Sequence, residues 1–545
     1  MKRQFRGAVL VLLTACTGPR LLGQQKEAGP NSVLHVTAED LLTRPVGENW
    51  PSYNGDYSGR RFSALREINR NNVGQLRAAW VFHPGNSQRL EATPVVVRGV
   101  MYVTSANDVF ALDASTGRTL WHFARPISSG LLDDAAAHKS RGVAVWEQYV
   151  YSETDDAHLL CLDARSGNLL WEVQYADKFK QYGATSAPLV VKDEVIVGTS
   201  GGDSGVRGFL AAYDARKGTL RWKLWTIPGP GEFGSESWPG DLYLHGGGTT
   251  WMPGTYDPEL DLLYWTTSNA APDFDGSGRP GDDLYTACVL AIDPNTGKLK
   301  WYFQFTPHDL YDYDANETPV LMDQDENGTT RHLLLQANRN GFFYVLDRAN
   351  GKFIRATPFA EKLNWATAID GSGRPVLSGR VPTKDGTYIC PGVVGATNWF
   401  SPSYNPDTGL FYVMALEACN LYFSKPKPFT QGETFYGTGT KHPVGEDSRK
   451  VLLAISPSDG KKMWQYPQVG RGGSWGGTLT TAGGLVFFAD DAESFEAVDA
   501  ETGRALWHFN TGQSFSASPM TYAVDGVQYV VIAAGSDVFS FTLPR

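Results

Sequence analysis

The stretch Ala111-Leu112-Asp113…Gly117…Trp121 recurs along the chain. It returns as Leu162-Asp163…Gly167…Trp171, Tyr213-Asp214…Gly218…Trp222, Ile292-Asp293…Gly297…Trp301 and Val498-Asp499…Gly503…Trp507. A degenerate copy, Ile455-Ser456…Gly460…Trp464, has Ser for Asp, and two weaker copies, Leu346-Asp347…Gly351 and Asn405-Pro406-Asp407-Thr408-Gly409, lack the Trp. Each copy fits a strand, a tight turn and a second strand. The Asp or Asn supports the turn, and Gly supplies its positive φ. Repeats mostly about 40 to 55 residues apart indicate a propeller or solenoid. The longer gap between Asp214 and Asp293 holds an insertion rich in Gly, Pro and Trp. Eight units predict an all-β, eight-bladed β-propeller with one Trp per blade docking between adjacent sheets. Such a ring takes roughly 400 to 500 residues, so 30–545 reads as one propeller domain.

Composition agrees with this reading. The 545 residues include 59 Gly, 31 Pro, 16 Trp, 24 Tyr and 27 Phe, and only 19% are charged. That excludes a disordered chain and a coiled coil. A net charge of −10 argues against a nucleic-acid surface. Residues 1–29 read as an export leader: a basic start, Met1 to Arg6, then the short apolar run Gly7 to Ala15. Leu13-Thr14-Ala15-Cys16 resembles a lipobox, which would lipidate Cys16; ordinary cleavage near Gly23 is the alternative. Either way the chain is expected in the periplasm. Without a CxxC or CxxCH motif, zinc ribbons and covalent haem are excluded. Export permits a disulfide, with Cys390 and Cys419 the best pair; four buried thiols are the alternative.

Four segments between the repeats carry chemistry. Thr306-Pro307-His308-Asp309-Leu310-Tyr311-Asp312-Tyr313-Asp314 places two acids at i and i+2, on one face of an extended segment, where both reach one hard cation. Ser200-Gly201-Gly202-Asp203 combines close backbone approach with a carboxylate. Gly246-Gly247-Gly248-Thr249-Thr250-Trp251 presents an indole to a flat ligand, followed by Asn269. Gln336-Ala337-Asn338-Arg339 supplies a cation.

In this order, and over nearly the whole chain from Asn49-Trp50 onward, these segments resemble the pyrroloquinoline quinone (PQQ)-dependent alcohol dehydrogenases, the methanol/ethanol dehydrogenase family. The resemblance implies PQQ and one metal ion, with Asp203, Asn269, Asp312 and Asp314 as ligands. Asp312 would be the catalytic base and Arg339 the partner of the reactive quinone carbonyls. Glu91, Arg141, Thr185, Ser200, Gly201, Gly202, Thr249, Trp251, Asn398 and Trp475 would bind the cofactor. Asp314 matches an extra acid of lanthanide-dependent members and favours a lanthanide(III) ion, with Ca2+ as the alternative. Asp203 stands where Glu is usual, which leaves the metal's identity open. The resemblance also implies a Cys390–Cys419 disulfide. It departs at Ala135-Ala136, where methanol dehydrogenases carry a vicinal disulfide. The implied activity oxidises a primary alcohol to the aldehyde, with hydride transfer to PQQ and electrons passed to a separate cytochrome c. The rival readings are a sugar or polyol dehydrogenase and an exported non-catalytic scaffold propeller. The scaffold predicts that the acids, Asn269 and Arg339 do not converge.

Overall fold

The computed structural model describes residues 35–545 except 87, 133, 134, 137, 327, 471 and 472. The leader and Cys16 lie outside the described residues. Among the described residues the only α-helix is Ala38–Leu42, and no helix is long and apolar enough to cross a membrane. The chain is an all-β propeller of antiparallel sheets. Seven follow in sequence over residues 95–123, 144–174, 189–225, 255–304, 320–358, 403–467 and 478–510, each with four consecutive or nearly consecutive strands. The last of them gains a fifth strand, Phe62–Ser63, parallel to Thr478–Thr481.

One further sheet joins the two ends of the described chain. The strand Arg77–Phe82 pairs antiparallel with Asp537–Thr542 and completes a sheet with Met520–Val524 and Val527–Ala534. This corrects the repeat reading in one place. The Asn405…Gly409 turn joins the first two strands of the 403–467 sheet, which already contains the Ser456…Trp464 copy. The eighth sheet instead takes its outer strand from residues 77–82, too far in sequence from its partners for a local repeat to register.

The repeat's turn is built as its residues require. Asp113 Oδ1 accepts from the N–H groups of Ser115 and Thr116, both at 3.0 Å, and Gly117, at φ 71°, donates to the Asp113 carbonyl at 2.8 Å. The glycine has a second reason. A Cβ at Gly117 would lie 2.6 Å from the ring of Trp80, and one at Gly167 2.5 Å from Trp121. The same contact sets Trp171 on Gly218, Trp222 on Gly297, Trp301 on Gly351 and Trp464 on Gly503. Gly460 meets Thr357, because the 320–358 sheet has no Trp at that place. Trp507 donates to the Leu76 carbonyl at 3.2 Å, just ahead of the strand at 77–82. Successive contacts therefore lead from each sheet to the next and back to the first. Strands between two sheets are buried on both faces, as in Val109 to Leu112, whereas the outer strand Leu169–Gln174 alternates toward solvent.

Cys390 and Cys419 form a disulfide, while Cys161 and Cys288 are free and buried, so the four-thiol alternative is set aside.

Glu153, on the strand Tyr149–Glu153, is buried and accepts from the Tyr175 hydroxyl at 2.5 Å. Burial pushes its carboxyl up from 4.5 to about 8, against the lowering effect of the Tyr175 bond. The unfolded chain releases this proton near 4.5 and the folded chain only near 8, so between them the folded state holds more protons. Its contribution to stability is full below pH 4.5 and lost as pH rises through 8. Glu153→Gln should remove that loss, raising stability at pH 8.5 relative to the parent by on the order of a few kcal/mol. Urea melts at pH 5 and pH 8.5 check this; equal parent-to-variant differences at both would refute it.

Candidate active site and metal centre

In an antiparallel meander the start of the first strand and the end of the second lie at the same end of a sheet. The candidate residues sit at those points. Arg141, Thr185, Trp251, Asn398 and Trp475 lie on segments entering first strands, as do Asp312 and Asp314. Asp203, Asn269 and Arg339 lie on segments leaving second strands. The fold therefore gathers them at one end, in a cavity of 330 Å³, a size that suits a small-molecule ligand.

The cavity is lined by Arg141, Thr185, Ser200, Gly201, Gly202, Asp203, Thr249, Trp251, Asn269, Asp312, Asp314, Arg339, Asn398 and Trp475. Glu91 does not line it. It stands behind the wall, where its carboxylate accepts from Arg141 Nη2 at 2.8 Å, with Lys139 Nζ 3.7 Å away. Ala136 reaches the cavity, and the Ala135 carbonyl accepts from Ser200 Oγ, so small side chains and backbone occupy the departure at Ala135-Ala136.

Arg339 is the hub of the acidic side. Its Nη2 lies 3.3 Å from Asp312 Oδ2 and donates to the Val393 carbonyl at 2.8 Å; its Nη1 lies 2.9 Å from Asp314 Oδ2. Asn269 donates its N–H to Asp314 Oδ1 at 2.5 Å and its side-chain amide to Asp203 Oδ1 at 3.3 Å. Burial opposes the Arg339 charge, but Asp312, Asp314 and Glu317 outweigh it and hold the guanidinium protonated above its ordinary range. Burial pushes the Asp312 carboxyl well above the usual carboxylate range. Arg339 opposes this, while Asp314 and Asp203 add to it. Asp314 is raised for the same leading reason.

Asp312 sits at φ 63°, a left-handed backbone that turns its side chain out of the extended run. Asp309 holds that turn: its two carboxylate oxygens accept from the N–H groups of Tyr311, at 3.1 Å, and Tyr313, at 2.9 Å. On the opposite wall the Arg141 guanidinium lies between indoles, 4.9 Å from the Trp251 ring centre and 4.6 Å from that of Trp399. Trp399 and Trp475 stack at 14°.

Residues 50–363 and 443–530 match the family model "Glucose/ethanol/alcohol dehydrogenase, beta-propeller domain". The chain is 37% identical to the quinoprotein alcohol dehydrogenase PedH of Pseudomonas putida, over 92% of this chain and 88% of that one. The chain belongs to the PQQ-dependent alcohol dehydrogenases. Within this oxidoreductase family it is also similar to the lanthanide-dependent methanol dehydrogenase of Methylacidiphilum fumariolicum, at 35% identity over 92% of this chain and 88% of that one. The solved quinohemoprotein alcohol dehydrogenase of Comamonas testosteroni superposes with a TM-score of 0.85 at 34% identity, covering 91% of this chain and 80% of that one. A europium-containing methanol dehydrogenase superposes at 0.84, 31% identical, covering 93% and 99%. The scaffold alternative is set aside, since the acids, Asn269 and Arg339 do converge and the family is enzymatic.

The residues present fit PQQ and a metal ion. The Nε groups of Arg141 and Arg339 are buried without an acceptor, which a ring carrying carboxylates and carbonyl oxygens supplies. A Cβ at Gly202 would press on the Thr249 and Ser268 hydroxyls at 3.1 and 3.3 Å, so glycine there leaves room for a flat ligand. The carboxylates and the Asn269 amide form an all-oxygen donor set suited to a hard cation.

Several residues of the site escape sequence reasoning. Lys139 and Ser268 line the cavity. Asp309 and the buried Arg279 shape it. Arg279 Nη2 donates to the carbonyls of Pro272, at 3.0 Å, and Asp309, at 2.7 Å, tying two of the acidic loops together. Asp309 lay in plain view in the 306–314 segment; the others carry no local signal.

Proposed function

We propose that this enzyme oxidises a primary alcohol to the aldehyde in the periplasm, using PQQ and one metal ion, and passes the electrons to a separate cytochrome c. The convergence of Asp312, Arg339, Asp203 and Asn269 on one cavity carries the reading, and the alcohol-oxidising relatives support the substrate class. The leader at 1–29 supports export, with Cys16 as an optional lipid anchor. The run of tryptophan-on-glycine contacts supports an eight-bladed ring docked by those tryptophans.

When bound, PQQ would supply the hydride acceptor and the metal ion a Lewis acid. Asp312 takes the proton of the substrate hydroxyl onto its carboxylate. Arg339, gripping Asp312 and Asp314 at once, fixes the direction of that carboxylate and would supply positive charge to the quinone oxygens. Asp203 and Asn269, which line the cavity, would hold the metal, and Trp251 would offer its indole to the quinone. Glu91 orients Arg141 for a cofactor carboxylate.

The decisive experiment is reconstitution of the exported protein with PQQ plus calcium or lanthanum, followed by absorbance and dye-coupled alcohol oxidation. No PQQ uptake with either ion would refute the reading. Asp314 favours a lanthanide because a trivalent ion calls for more ligand charge. Asp314→Ala should lower lanthanum-supported activity at least tenfold; a parent at least as active with calcium as with lanthanum would sink the lanthanide reading.

A further inference from the structure

Four residues beyond Asn269, at the rim of the same acidic cluster, lies Asp273. It is 1% exposed, and its Oδ1 has no hydrogen-bond partner. One carboxylate oxygen each from Asp203, Asp273 and Asp312 lie within 4.8 Å of one another. Oxygens bound to one Ca2+-like ion at about 2.3–2.6 Å stand at most about 5 Å apart, so all three reach a single cation. Asp314 lies beside this compact group: one of its oxygens accepts from the Asn269 N–H and the other from Arg339, and each keeps a lone pair for a cation.

We propose that Asp273 is a further metal ligand, closing a three-carboxylate site with Asp203 and Asp312. This rests on the metal-dependent reading above and deepens it. Asp203 is a short acid, and a third carboxylate on the opposite loop offsets its reach. The position of Asp273 is built rather than incidental. Arg279 grips the Pro272 carbonyl immediately before it and the Asp309 carbonyl in the Asp312 loop, and the Phe274 N–H donates to the Tyr436 carbonyl at 2.9 Å immediately after it. The charged groups facing Asp273 are Asp203, Asp312, Asp309 and Arg279. Arg279 is committed to Asp283 and to the two carbonyls, so it stands as a distant counter-charge rather than a hydrogen-bonded partner. With Asp314 beside the triad, the site gathers four carboxylates around one arginine that touches two of them, a balance suited to an ion of high charge.

The test is calorimetric titration of full-chain, PQQ-reconstituted protein with lanthanum and with calcium, parent against Asp273→Asn, alongside melting of the chelator-treated proteins. The expected result is at least tenfold weaker lanthanum binding in Asp273→Asn, with a smaller loss for calcium. The metal-free variant should melt at or above the parent's temperature, because an acid crowded against Asp203 and Asp312 with no ion between them has been removed. Metal binding equal to the parent's overturns the assignment. So does a metal-free variant that melts several degrees below the parent, which makes Asp273 a structural partner of Arg279. A parent that oxidises alcohols while Asp273→Asn binds both ions normally sinks this assignment alone. A parent that binds neither PQQ nor metal sinks the proposed function with it.

Discussion

Asp312→Asn should abolish alcohol oxidation, lowering kcat roughly 10²- to 10⁴-fold at every pH, the range spanned by loss of a general base. The amide has nearly the shape of the carboxylate, so the left-handed turn held by Asp309 and the van der Waals contacts of the loop survive. What is lost is the capacity to accept the hydroxyl proton, together with one carboxylate of the proposed metal site. Arg339 also loses one of its two carboxylates, which leaves PQQ binding largely intact through Trp251 and Arg141. Absorbance of the reconstituted variant together with single-turnover oxidation separates the two effects. A variant that binds PQQ and still turns over within threefold of the parent would remove Asp312 from the chemistry.

Arg339→Lys should cost about 10²- to 10³-fold in kcat, the penalty of losing one preorganised donor at the reacting oxygens. The planar fork reaches Asp312 with one nitrogen and Asp314 with the other, while also donating to the Val393 carbonyl. A lysine ammonium is a point charge and satisfies one carboxylate at a time. The remaining acid stays buried and uncompensated, so the variant should also melt below the parent, in contrast to Asp273→Asn. Near-parental kcat with lysine would show that charge alone, without the fork, is sufficient.

Much of this was legible in the sequence because it is local. An Asp, a Gly four residues on and a Trp eight residues on describe one hairpin, and each residue type is demanded by that hairpin's own backbone. The segments at 200–203, 246–251, 306–314 and 336–339 were legible for a similar reason, each being a short run whose residue types match one side of a planar, anionic cofactor or a hard cation. The Cys390–Cys419 pair was open on spacing and was decided by proximity.

The misses are non-local. The outer strand at 77–82 belongs to a sheet whose other strands begin at residue 520, and it carries the Trp80 that meets Gly117. Glu91 is paired with Arg141, which lines the cavity, across 50 residues of sequence. Asp273, Asp309 and Arg279 act through contacts across loops from different positions in the chain. The sequence by itself determined the all-β repeat, the turn chemistry and the kinds of group in the site, since those follow from backbone preferences and side-chain type over a few residues. Only the tertiary structure decided which carboxylates share one point in space. That depends on antiparallel meanders delivering first-strand entries and second-strand exits to the same end, and on Arg279 drawing two of those loops together.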